Sequence, residues 1–458
     1  MVDNKIQLSD HFTINKLLLF SLPSIGMQLV DTTYQIADGF FISNYISDKA
    51  FEAENLIFPP ILIVMSVGIM FGTGGSALIS KELGEGRKER ACSSLSMLVS
   101  VIAAFGVMLS AILYYLLPAL SNLVGASKDM APACITYGRI LAFFMPFQML
   151  SIAFHSLLIT AERPGLGLGT TICNAVVNII LDWLFVAVLG QGMEGAALAT
   201  GLAWFSSGII PLVFFLNKKN PIHFVRPKMD IRALGRTLYN GASEMVDAVS
   251  YAIVALIFNL QLIRWIGENG VGAYAVSEYV GGIFIAIFYG IAMSIVPAVG
   301  YQLGKKNIEE LRSLRRNGLV LMGILGAIMS GVSFLLADTV SRFFVGYNEE
   351  LTMLSVQALQ IISISFLLNG ITTYFSSYFT GLNQGSASLA IAVVKGVVGP
   401  LIAVFLLPLL IGPKGLWYAT PVAEVMALIA SFLLLFWWIK KEKKGDLPEP
   451  DDTVDVDH

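Results

Sequence analysis

Charge is what this chain most conspicuously lacks. Only 13% of its 458 residues are Asp, Glu, Lys or Arg, where a water-soluble domain carries about a quarter. Such a composition does not make a surface for water. Cysteine is scarce too: Cys92, Cys134 and Cys173 are scattered through apolar stretches. They show neither metal-ligand spacing nor a disulfide framework and read as packing residues. The net charge of −3 is small and no basic cluster interleaves with aromatics, so no nucleic-acid partner is expected. No nucleophile–base constellation or metal-ligand set appears. The runs Gly72-Thr73-Gly74-Gly75 and Gly165-Leu166-Gly167-Leu168-Gly169 lack the Lys-Ser/Thr of a phosphate loop and read as close helix packing. The chain is therefore not expected to be an enzyme or to hold a cofactor. A receptor or scaffold would need a sizeable external domain, and every external connection is short.

What the chain has is apolar length. Hydrophobic residues make up 56% of it, and runs such as 95–117 and 319–337 are long enough to cross a hydrocarbon core about 30 Å thick. Charged residues, Gly, Pro and Asn punctuate the ends of these runs, as in a helical bundle; a barrel would show short alternating segments. The pattern predicts twelve spans, at 15–46, 54–81, 91–118, 130–158, 165–190, 194–217, 235–265, 272–303, 312–338, 350–380, 384–411 and 415–439. Met1 to Asp10 is polar and runs into the first span without a small-residue cleavage site, unlike a removed signal.

Lys and Arg then fall almost wholly on one side. The opposite side keeps only Lys49, Lys128, Arg264, Arg342 and Lys414. Basic loops stay in the cytoplasm, which places both termini inside a multi-pass protein of the cell (inner) membrane. The expected organisation is a cytoplasmic segment (1–14), a first six-helix lobe (15–217), a cytoplasmic linker (218–234), a second six-helix lobe (235–440) and a disordered acidic tail (441–458).

The two halves repeat at an offset of 220 residues. Leu83-Gly84 returns as Leu303-Gly304, Glu89 as Glu309, Thr160 as Thr380, Gly195 as Gly415 and Ala199-Thr200 as Ala419-Thr420. An even number of spans per repeat gives both halves the same orientation, the pattern of transporters in which two bundles rock about a central site.

Charges inside spans face the interior by default and mark function. Here they are Asp31, Asp38, Arg139, His155, Asp182, Glu244, Asp247, Glu278, Lys395 and Glu424. Asn174, Asn178 and Asp182 recur every four residues and make one polar stripe on span 5. Counted from the outer ends of their spans, Asp38, Asp182, Thr200 and Tyr137 all lie about 10 Å deep, at about 1.5 Å per residue. They form one expected layer. At the offset of 220 Asp38 becomes Phe258, Asn178 becomes Val398 and Asp182 becomes Ile402, so the second half has no such layer. Two neighbouring buried carboxylates can take up and release a proton. With Asn178 and Thr200 the same oxygens can instead hold Na⁺, and the sequence leaves the choice between H⁺ and Na⁺ open. Asp31, Asn174, Glu244, Asp247 and Glu278 are candidates for a cation-attracting substrate cavity. Lys395 is read as pairing with Glu278 or Glu424. His155 reads as a satisfied packing residue, and Pro23 as a kink that hinges span 1.

Several stretches together resemble one known family. They are Asp38-Gly39-Phe40-Phe41-Ile42-Ser43, Leu83-Gly84-Glu85-Gly86, Asn178-Ile179-Ile180-Leu181-Asp182, 195–200 and 297–304. The chain resembles prokaryotic multidrug and toxic compound extrusion (MATE) transporters over essentially all of its membrane length. The resemblance implies an all-α fold of twelve transmembrane helices in two pseudo-symmetric, V-shaped six-helix lobes. It also implies export of cationic or amphipathic organic compounds by antiport with H⁺ or Na⁺; the protein is separately expected to be a monomer in membrane lipid. The family's N-lobe cation site maps onto Asp38, Asn178, Asp182 and Thr200, with Tyr137 beside it. One feature departs from the family: Glu244 supplies one member of the C-lobe acidic pair seen in other branches, but span 10 has no interior carboxylate. A lipid-linked oligosaccharide flippase of the same superfamily is the alternative. Its cavity should be strongly basic, and only Arg139 and Lys395 are intramembrane cations here.

Overall fold

The computed structural model describes residues 6–443, all of it helix and connection. The predicted tail (441–458) lies outside the described residues beyond Lys443, as do the first five residues of the amino-terminal segment. The helices are α1 (Ile14–Tyr45), α2 (Asp48–Gly84), α3 (Lys88–Leu123), α4 (Ala131–Thr160), α5 (Pro164–Val188) and α6 (Gly192–Leu216). After the 218–230 connection come α7 (Ile231–Trp265), α8 (Glu268–Gly304), α9 (Ile308–Leu335), a short α10 (Ala337–Val345), α11 (Glu349–Gly381), α12 (Gly385–Ile411) and α13 (Ala419–Lys443). Without water in the hydrocarbon core every backbone N–H and C=O must be paired internally, and uninterrupted helices do this. Among the described residues, eleven helices are long and apolar enough to cross a membrane. The twelfth, α1, has the length at 32 residues, but Gln28, Asp31, Thr32, Thr33, Gln35 and Asp38 lower its apolarity.

The internal repeat is visible in the backbone. The connection after α2 turns at Gly86 (φ 77°) and that after α8 at Lys306 (φ 56°), 220 positions on. Gly192 and Gly412 are both left-handed at the same offset, while Glu162 and Asn383 are a matching pair one residue out of phase. Glu89 and Glu309 sit in the first turns of α3 and α9, where a negative charge offsets the helix dipole. Both α5 and α12 relax into a π-helical turn, at Trp183–Val188 and Val394–Val398.

The chain divides into two compact units that do not follow the halves strictly. Unit 1 holds Gly26–Gly241 with Gly300–Lys306 and the segment ending at Ser9; unit 2 holds Asp10–Ile25, Ala242–Val299 and the chain from Asn307. In unit 1 the central helix is α4, whose most apolar stretch is 72% buried. Glycines let backbones meet around α2. A Cβ on Gly74 would lie 2.1 Å from the Thr237 carbonyl, and one on Gly241 1.9 Å from the Met70 carbonyl. The repeated pair Gly84 and Gly304 cross reciprocally, each facing a backbone carbonyl of the other helix, Tyr301 and Lys81, at 2.0 and 2.1 Å. The run from Gly72 to Gly75 therefore packs as expected, whereas Gly165 and Gly169 have nothing within 4 Å and only Gly167 of that run is in tight contact. In unit 2, α11 is pinned to α9 by tyrosine hydroxyls: Tyr374 donates to the Leu314 carbonyl at 2.7 Å and Tyr378 to that of Leu311 at 3.0 Å. The three cysteines are free thiols.

Candidate cation site

Unit 1 gathers a polar layer from five helices. Asp38 comes from α1, Tyr137 from α4, Asn178 and Asp182 from α5, and Thr200 from α6; the fifth helix, α2, adds Glu54. On α5 the residues Asn174, Asn178 and Asp182 are buried while their neighbours Val176, Ile179 and Ile180 are exposed, so the four-residue spacing turns one polar stripe inward. Asp182 is fully buried although the adjacent Trp183 is 55% exposed, which excludes a carboxylate reaching for the membrane surface. The connecting donors are neutral groups. Asn178 Nδ2 donates to Thr200 Oγ1 at 3.3 Å, the Thr200 hydroxyl to Asp38 Oδ1 at 3.5 Å, and the Tyr137 hydroxyl to Glu54 Oε1 at 3.3 Å. Asp38 is within hydrogen-bonding reach of both Asp182 and Glu54.

The donors run out before the acceptors do. Both oxygens of Asp182, Oδ1 of Asn178 and Oε2 of Glu54 are buried without a donor among the described residues. Ionised carboxylates only accept, and a buried acceptor with no donor costs about 1–3 kcal/mol, more when charged. A proton shared between the carboxylates, or a cation among the oxygens, removes that penalty. No group of three His, Cys, Asp or Glu among the described residues converges closely enough to hold a metal ion. The oxygens available to Na⁺ are accordingly two carboxylates, Asp38 and Asp182, with the Asn178 amide and the Thr200 hydroxyl.

Glu54 is absent from the layer expected from the sequence, because the apolar pattern starts span 2 at that residue. Helix α2 begins at Asp48, with the Ser47 hydroxyl accepting from the Ala50 N–H at 3.1 Å as its N-cap. Six residues of helix carry Glu54 about 9 Å along the axis. The Ser-Asp pair at positions 47 and 48 is the signal that would have revealed it.

The other intramembrane groups disperse. Asp31 lies nearly two turns before Asp38 on α1 and makes no ion pair among the described residues. Asn174 accepts from the Ser207 hydroxyl at 3.5 Å. His155 is buried against the Thr171 hydroxyl at 3.2 Å. In unit 2 the Tyr251 hydroxyl donates to Glu278 at 2.8 Å. Both oxygens of Glu424 are taken, by Asn369 at 2.7 Å and Thr372 at 2.6 Å. The expected pairing of Lys395 with Glu278 or Glu424 is thus corrected: its ammonium donates to Thr373 at 2.6 Å. Both carboxylates already have neutral hydroxyl or amide donors. Glu244 accepts from the Ser377 hydroxyl at 3.4 Å, with Asp247 near it on α7. Pro23 sits inside a continuous α1, three residues before the chain passes to unit 1 at Gly26.

Twelve long helices in two repeated halves, with a buried acidic layer in the first half, define a polytopic membrane transporter rather than an enzyme. The sequence profile of the MatE family matches this chain twice, over residues 23–184 and 245–405. The chain belongs to the MatE family. It is 23% identical to the multidrug export protein MepA of Staphylococcus haemolyticus, over 95% of this chain and 96% of that one. It is 24% identical to a probable multidrug resistance protein, YoeA, of Bacillus subtilis, over 93% and 94%. The fold matches a MATE crystal structure in the straight conformation with a TM-score of 0.89 at 22% identity, covering 97% of this chain and all of that one. An outward-facing multidrug resistance transporter of the MATE family matches with a TM-score of 0.87 at 20% identity, covering 98% and 100%.

Proposed function

We propose that this protein exports organic cations or amphiphiles across the cell membrane in exchange for H⁺ or Na⁺, by alternating access, with the coupling ion bound in the unit 1 layer. The observation that carries the reading is the surplus of acceptors there: Asp38 and Asp182 lie side by side, and the Asp182 oxygens have no donor of their own. A proton or a sodium ion completes that arrangement, and either one cancels charge where hydrocarbon surrounds it. Family membership and the near full-length likeness to multidrug exporters support the substrate class.

Asp38, Asn178, Asp182 and Thr200 hold the ion in this reading, Tyr137 orients Glu54 beside it, and Asp31 and Asn174 in unit 1 and Glu244, Asp247 and Glu278 in unit 2 attract cationic substrate. Charge change at Asp38 reaches Pro23 along one helix, α1, and bends it there. The protein works as a monomer with both termini and the 218–234 linker in the cytoplasm, as the distribution of Lys and Arg between the connections supports.

The test is uptake of a fluorescent lipophilic cation into everted membrane vesicles. A pH or Na⁺ gradient should drive accumulation by the native protein, and whichever gradient works names the ion. Asp38→Asn should abolish it at unchanged protein level. Full uptake by that variant would refute the reading.

A further inference from the structure

Unit 2 contains a partly buried charge cluster, of which the reading above uses two acids, Glu244 and Asp247, for substrate and leaves the lysine without a role. Its parts come from four helices. On α12, Lys395 lies within the π turn Val394–Val398, and such turns are frequent at functional sites. At the offset of 220 this turn corresponds to 174–178, the very stretch that carries Asn174 and Asn178 in unit 1. On α11, Thr373 accepts from the Lys395 ammonium at 2.6 Å, and one turn further along Ser377 donates to Glu244 Oε1 at 3.4 Å. On α7, Glu244 is 6% exposed and interacts electrostatically with both Lys395 and Asp247. Asp247 Oδ1 lies only 3.4 Å from where a Cβ on Gly396 would stand, next to the lysine. Tyr289 of α8 also reaches Glu244. Two carboxylates therefore face one ammonium and several hydroxyls.

We propose that Lys395 is a tethered cation: its ammonium fills, in unit 2, a cation site walled by Glu244, Asp247, Thr373 and Ser377, so that this unit takes up no free ion while the lysine is present. A compact, strongly hydrated charge on a flexible stem suits this role, since the ammonium makes its hydrogen bond to Thr373 and is not locked to a carboxylate. Removing the charge leaves the buried Glu244 and the half-buried Asp247 without compensation, and a small free cation then takes the vacated place. The repeat makes the same region of α5 and α12 polar in both units, with an exchangeable charge in one and a fixed charge in the other. The proposal rests on unit 2 alone and stands or falls independently of the coupling reading.

Its test is made on the full chain, purified in detergent, with Asp38→Asn in every sample to silence unit 1. Lys395→Ala should lower the melting temperature of that protein. n-Propylammonium chloride, which reproduces the deleted arm, should restore it saturably, while N-methylglucamine at equal ionic strength should not. Adding Glu244→Gln should remove both the loss and the rescue. Equal melting with and without the lysine, or a rise with n-propylammonium that is the same in the Asp38→Asn parent, overturns the proposal. If the alanine variant does not accumulate, Lys395→Met keeps the bulk and loses the charge. Glu244→Gln should then offset much of the methionine variant's destabilisation, and strict additivity of the two substitutions would overturn the proposal equally.

Discussion

Units 1 and 2 share a helix order, a set of left-handed turns and a π turn on the same helix of each half, yet they treat buried charge in opposite ways. In unit 1 the acceptor oxygens outnumber their donors: Asp38 is bonded through Thr200 to Asn178, Glu54 is bonded to Tyr137, and four buried oxygens of the layer, both of Asp182 among them, remain without a donor. In unit 2 the accounts balance. Glu424 is saturated by Asn369 and Thr372, Glu278 has Tyr251, and the Glu244–Asp247 pair has a lysine nearby. A saturated carboxylate cements helices; an unsaturated pair waits for something mobile. One duplicated scaffold can thus carry a rigid polar network and an exchangeable one, and the difference lies in a few donors rather than in the fold.

The sharpest way to break this comparison is to neutralise one acid in each unit. Asp182→Asn should abolish ion-driven transport while the protein still accumulates, because the amide can neither take up a proton nor supply a second negative charge to Na⁺. Glu424→Leu should do the reverse. It leaves the Asn369 amide without its partner, at about 1–3 kcal/mol when buried, and takes one of two acceptors from the Thr372 hydroxyl, which keeps the Asn369 carbonyl; it should therefore lower the melting temperature while ion dependence survives. Vesicle uptake and thermal melting of the two variants separate these outcomes. A Glu424→Leu protein of normal stability that has lost its ion dependence would show that unit 2 is not the rigid partner.

The fold was more legible in the sequence than the site. Apolar runs set twelve helices because in lipid the backbone has almost no alternative to a helix, and a repeat offset of 220 could be read from glycines that recur where helices end. Depth counting placed Asp38, Asp182 and Thr200 in one layer for the same reason: a straight helix converts residue number into distance. The method failed wherever a helix end was misjudged, as at Glu54. It failed again where rotamers decide the partner. For Lys395, Glu278 and Glu424 only the side-chain geometry shows that Thr373, Tyr251 and Asn369 are their partners. The exchange of helix ends between units was also hidden. The start of α1 joins unit 2, and the start of α7 and the end of α8 join unit 1, because backbone contact, not sequence order, defines a compact unit.

That exchange gives a smaller, structural test. Gly241 is the last residue of α7 in unit 1, and a Cβ there would stand 1.9 Å from the Met70 carbonyl oxygen. Gly241→Ala forces two backbones apart, so it should cost about 1–3 kcal/mol or more, as overpacking does. Gly235, on the same helix, has nothing within 4 Å of its would-be Cβ. Gly235→Ala should be neutral or stabilise by up to about 1 kcal/mol, the helix-propensity difference between the two residues. Equal melting temperatures for both variants would mean that the start of α7 is not held against α2.

The smallest expected effect sharpens the comparison most finely, because it removes one donor from the unit that is already short of them. Tyr137 is buried at 2% exposure and its hydroxyl is the hydrogen-bond donor to Glu54 Oε1. Tyr137→Phe keeps the ring and deletes that bond, which is worth about 0.5–1.5 kcal/mol net. Glu54 is then free to turn toward Asp38 and add its charge to the layer. If the mobile partner is a cation held by Asp38 and Asp182, the ion concentration giving half-maximal transport should shift by about two- to tenfold, the same energy expressed as an equilibrium ratio. The direction is informative. Tighter ion binding means that Glu54 contributes negative charge once released, whereas weaker binding means that its ordered position, fixed by Tyr137, was what shaped the site. An unchanged ion dependence would place Glu54 and Tyr137 outside the exchangeable layer and confine that layer to α1, α5 and α6.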